Sequence, residues 1–67
     1  MRIFTLSKLG RRITKDYTGE GDSEMKVLNF LRENHTATED ELEVVGGERW
    51  MLRRLEERGL IRELTNR

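Results

Sequence analysis

The sequence predicts a small α+β domain in which three helices pack against an antiparallel sheet that joins the two ends of the chain. Three observations predict it. Apolar residues recur at helical spacing over 23–34 and 50–58. A capping signature at 38–41 opens a shorter helix between them. Two short stretches rich in β-branched and aromatic or aliphatic residues, "RIFTL" and "LIRELT", stand at opposite ends of the chain.

Taken in order, "RIFTL" at 2–6 alternates, so Ile3 and Thr5 share one face of a strand and Phe4 and Leu6 the other. "SKLGRRI" has the means for a helical turn, with Ser7 as N-cap, but Gly10 weakens it, and it is not counted among the three helices. "DYTGEGD" at 16–22 collects turn formers and reads as an exposed loop. The first clear helix starts at Asp22 or Ser23 and ends near Asn34; Met25, Val27, Leu28, Phe30 and Leu31 give it a wide apolar face. Thr38 and Glu41 have the spacing of a capping box, and Glu39, Asp40 and Glu41 suit the positive end of the helix that follows. That helix buries Leu42 and Val45 and stops at Gly46-Gly47. The third helix runs from about Glu48 to Arg58 and closes at Gly59. "LIRELT" at 60–65 is then the antiparallel partner of 2–6.

The chain's only tryptophan lies in "GGERWMLRRLEERGLI" at 46–61. At about 100° per residue, Met51, Leu52 and Leu55 fall in one arc of the third helix, and Trp50 and Arg53 lie on the opposite side, flanked by Arg49 and Arg54. A tryptophan on an outer face among arginines either packs under another segment or anchors a partner.

With 67 residues, the chain is read as one domain, 1–67, near the lower limit at which a core suffices without staples. There is no apolar run near the roughly 20 residues of a membrane helix and no secretory signal core, so a cytoplasmic protein is expected. The absence of cysteine excludes disulfides, thiol catalysis and cysteine-based zinc sites. His35 has no second histidine at ligand spacing, so neither a metal nor a cofactor is expected. "TGEG" lacks the lysine of a phosphate loop. No Ser–His–Asp or Cys–His set is present, and the chain reads as a non-enzyme.

Formal net charge is zero, but the charges are segregated. Residues 1–19 carry five basic side chains against Asp16; residues 20–48 carry nine acids against Lys26 and Arg32; residues 49–67 carry six arginines against three glutamates. If folding joins the ends, their cations form a basic face suited to a polyanion.

The order helix, short capped helix, glycine turn, helix, Gly-Leu-Ile and strand, with "LRRLEERGLIREL" at 52–64 and "ATEDELEVVGG" at 37–47, resembles the winged helix-turn-helix family. The likeness covers about residues 23–64. "FTLSKLGRRI" is similar to the Leu-Thr-x-x-Gly-Arg segment that follows the wing in MarR-like regulators and lies near the start of phenylalanyl-tRNA synthetase alpha chains; here it precedes the helices. No second wing strand follows 60–65, so the N-terminal strand is expected in its place, and Glu48 departs from the apolar residue such regulators keep there. The resemblance implies a small transcription regulator that docks its third helix in the major groove of double-stranded DNA. By position, Arg49, Trp50 and Arg53 would reach bases or backbone, and Arg54, Arg58, Arg62, Arg11 and Arg12 would hold phosphates. One such module has a small footprint, which implies a homodimer or a larger complex. The alternative is a winged helix that binds a protein through Trp50, for which the acidic 39–43 segment argues.

Overall fold

A computed structural model describes residues 2–15 and 23–64; the loop expected over 16–22 and the strand end at Thr65 lie outside them. The described chain runs β1 (Ile3–Leu6), α1 (Lys8–Thr14), α2 (Ser23–Asn34), β2 (Thr36–Thr38), α3 (Glu39–Val44), α4 (Arg49–Glu57) and β3 (Ile61–Leu64). It is an α+β domain with four helices and a three-stranded antiparallel sheet of order β2-β1-β3. The expected pairing of the chain ends is present: Ile3 faces Leu64, Phe4 faces Glu63, Thr5 faces Arg62 and Leu6 faces Ile61.

Two elements correct the sequence reading. The described residues hold four helices, not three, because 8–14 forms α1 despite its glycine. Ser7 caps it by accepting from the Gly10 amide at 3.0 Å, and the Ser7 hydroxyl is shared between the carbonyls of Gly59 and Leu60 at 2.7 and 2.9 Å. Gly10 is required where it stands, since a β-carbon would collide with the Leu60 carbonyl oxygen and the Leu6 side chain. What weakens α1 as a helix is thus what lets it lie against the turn that leads from α4 into β3. The other correction is β2, three residues long, which pairs with the far side of β1 so that β1 becomes the central strand.

The core sits between the inner face of the sheet and the helices. Phe4 and Leu6 from β1, Ala37 from β2 and Ile61 from β3 meet Val27, Leu28 and Leu31 of α2, Leu42 of α3 and Met51, Leu52 and Leu55 of α4. The alternation read from "RIFTL" therefore holds, with Phe4 fully buried. Of the apolar face expected on α2, Met25 and Phe30 are partly buried at the edge of this cluster, as is Val45 after α3. Thr14 is the buried polar side chain in the described core, and its hydroxyl donates to the Gly10 carbonyl at 2.9 Å, so its burial leaves no unmet hydrogen bond.

Helix ends follow local chemistry. The capping box of α3 is complete: Thr38 Oγ1 accepts from the Glu41 amide at 3.2 Å, and Glu41 Oε1 accepts from the Thr38 amide at 2.9 Å. His35 closes α2 at φ 68, in the left-handed region that few residues other than glycine adopt, and is exposed. Its carbonyl accepts from Thr5 Oγ1 at 2.9 Å, which helps to hold that turn against β1. Gly59 at φ 77 ends α4 and turns the chain into β3.

Arg2 fastens one end of the sheet. Its guanidinium lies 5.0 Å from the centre of the Phe4 ring and reaches Glu56 of α4 and Glu63 of β3 at 3.0 Å each, with Glu39 of α3 at 3.4 Å. The hydrogen bond to Glu63 raises the Arg2 pKa above its ordinary value; the charges of Glu63, Glu56 and Glu39 add to this and burial opposes it. A raised arginine contributes its stability at every pH below its unfolded value, so this group adds no pH dependence near neutrality.

Candidate nucleic-acid interface

The site is built by how α4 begins. Gly47 is buried, its amide donates to the Leu42 carbonyl at 2.7 Å, and a β-carbon there would crowd that carbonyl and Val27. This tight turn brings the chain out of α3 with Glu48 as the N-cap of α4. Glu48 has the extended backbone of a cap but makes no side-chain capping bond. Its Oε2 instead accepts a hydrogen bond from the Trp50 indole Nε1 at 2.7 Å.

From there the helix divides into two faces. Met51, Leu52 and Leu55 are buried in the core, and Trp50, on the other side, is 57% exposed. The ring faces outward, as helical periodicity against Met51, Leu52 and Leu55 predicts. Glu48, Arg49, Trp50, Arg53, Arg54 and Glu57 line an open depression along this face. A second shallow hollow beside it is lined by Ser23, Glu24, Trp50, Met51 and Arg54, so the indole and Arg54 form the ridge between the two.

The arginines differ in their engagement. Glu24 of α2 sits 3.8 Å from Arg54 and 3.5 Å from Arg58, long and exposed pairs of small energetic weight. Among the described residues no ion pair engages Arg49 or Arg53, both of which are exposed. Chemically, the face offers two planar donors that no ion pair engages among the described residues, beside an exposed aromatic ring and with the carboxylates of Glu48 and Glu57 in the same depression.

Of the residues singled out from sequence, the fold places Arg49, Trp50, Arg53 and Arg54 together, with Arg58 at the C-cap of the same helix. Arg11 and Arg12 are exposed on α1, which packs against α2 and β1, and neither lines the depression. Arg62 is exposed on β3 opposite Thr5 and is likewise outside it. The basic face expected from the two chain ends is therefore not found in this depression: Arg11, Arg12 and Arg62 lie outside it, and Glu48 and Glu57 stand among the arginines that line it. Helical periodicity puts Glu57 further along the same face as Trp50 and Arg53, as observed, whereas Glu48 and Glu24 were not placed in this site from the sequence. Glu57 was legible one turn beyond Arg53; the indole bond of Glu48 depends on cap geometry, and Glu24 arrives from another helix.

Set against known proteins, the chain matches no protein family, no curated protein and no solved structure.

Proposed function

We propose that this domain is a winged helix-turn-helix that binds double-stranded DNA by placing α4 in the major groove. α2, β2, α3, α4 and β3 follow the order of that fold, and β1 takes the slot beside β3 that the returning wing strand fills. The observation that carries the reading is the outer face of α4, where Arg49 and Arg53 stand without ion pairs among the described residues, beside an exposed Trp50. Arg49 and Arg53 are assigned to base edges or phosphates, Trp50 to apolar contact with the groove wall, and Arg54 and Arg58 to phosphates in exchange for their long contacts to Glu24. Regulation of transcription is the use this assigns to it, as a homodimer, because one such module covers few base pairs.

The test is the affinity for a labelled mixed-sequence duplex as salt is raised. About three phosphate contacts predict a loss on the order of 40-fold between roughly 50 and 200 mM salt, and Arg49→Ala with Arg53→Ala removes most of the binding. A second reading, docking of another protein on the same face, is favoured by the carboxylates of Glu24, Glu48 and Glu57 beside the arginines and by the acidic α3. A flat titration at low salt would select it.

A further inference from the structure

Glu48 is an anomaly for a face meant to meet phosphates. It sits at the N-terminal end of α4, the end from which a recognition helix reaches base edges, and its negative charge opposes any backbone contact there. Its side chain does not serve the helix either, since it makes no capping bond. It is held in place by the Trp50 indole at 2.7 Å through Oε2. Among the described residues nothing else engages the carboxylate, so Oε1 is left as an oriented acceptor on the exposed surface.

We propose that Glu48 is the specificity-determining residue of this face and that it selects a cytosine in the major groove, with Trp50 as the positioning residue that aims it. This rests on the DNA-binding reading of α4. A carboxylate can only accept hydrogen bonds, and in the major groove the base edges that donate are the amino groups of cytosine and adenine. Adenine carries its N7 acceptor beside that amino group, which repels the second oxygen of a carboxylate; cytosine has no such acceptor. Guanine and thymine present acceptors where Glu48 needs a donor. Arg49, next along the helix, has the planar fork that pairs with guanine O6 and N7. Glu48 and Arg49 together therefore fit a step rich in G·C pairs. The same charge that weakens nonspecific attachment to phosphate becomes the means of rejecting wrong bases.

Glutamine at this position separates the chemistry from the shape. Its amide oxygen still accepts the indole N–H, while its NH2 adds a donor, and that donor–acceptor pair matches adenine N6 and N7. The experiment is selection from a duplex library with randomised positions at low salt, run on the native protein, Glu48→Gln and Glu48→Ala. Both variants are expected to keep the native circular dichroism, because the Glu48 side chain is exposed and makes no capping bond. The native protein should enrich cytosine at one position by about tenfold; Glu48→Gln should shift that position toward adenine, and Glu48→Ala should lose the preference by binding duplexes without that cytosine more tightly. Binding without a cytosine preference, or with one unchanged in both variants, overturns the assignment of Glu48 and leaves the DNA reading standing. If no duplex is retained, the DNA reading falls and this inference falls with it.

Discussion

Two arginine-centred regions of this molecule use the same side chain to opposite ends. Arg2 is surrounded: Glu39, Glu56 and Glu63 converge on it from three elements while its plane lies over Phe4. Arg53 and Arg49 stand on the outer face of α4 with no ion pair among the described residues. The first arrangement satisfies a part-exposed cation with the fold's own carboxylates; the second leaves cations available to something outside it. Neighbouring carboxylates alone do not distinguish the two, because glutamates line both regions. What differs is whether the acids reach the guanidinium, and the answer depends on the element that carries them.

Substitutions can sharpen that contrast, beginning with the core that both regions share. Leu52→Ala removes a fully buried side chain on the inner face of α4 and should destabilise the domain by about 3 kcal/mol, enough to unfold much of a chain this small. Thermal melting followed by circular dichroism reads it. Gly10→Ala, a change that favours most helices, should instead cost about 2 kcal/mol, because the added carbon meets backbone at Leu60. A stabilised variant would mean that α1 does not lie against the Leu60 turn as described. Arg2→Ala should cost about 1 kcal/mol, a value held down by solvent because the side chain is 39% exposed. The loss should shrink as salt is added, and Arg2→Lys should recover only part of it, since one ammonium cannot match a guanidinium that meets three glutamates. Arg53→Ala and Trp50→Ala should move stability by less than about 0.5 kcal/mol, as exposed residues outside the core do. Equal losses for Arg2→Ala and Arg53→Ala would erase the distinction between an arginine that fastens and one that waits.

Local chemistry made part of this architecture legible in the chain. The capping box at Thr38 and Glu41 needs only three-residue spacing, and the outward position of Trp50 follows from helical periodicity against Met51, Leu52 and Leu55. The pairing of β1 with β3 was legible because both alternate and stand at opposite ends of the chain. β2 was hidden: Thr36-Ala37-Thr38 buries only the alanine, and its strand character comes from β1, more than thirty residues earlier. α1 was hidden for a related reason, because its glycine looks like a defect until Leu60 is seen beside it. The Arg2 cluster joins residues 37, 54 and 61 positions apart, a separation no spacing rule covers. In the candidate site the cations were legible from one helix, and the carboxylate of Glu24 was not, since it comes from α2.

The central claim is that the outer face of α4 is where this protein meets duplex DNA, and Trp50 is its own reporter because the chain has no other tryptophan. Titrating the native protein with duplex DNA at low salt and following indole emission tests it directly. The account predicts a saturable change that reverses as salt is raised and is absent in Arg49→Ala/Arg53→Ala. An emission that stays constant through a titration in which the DNA is bound, or in which no DNA binds at all, would contradict it.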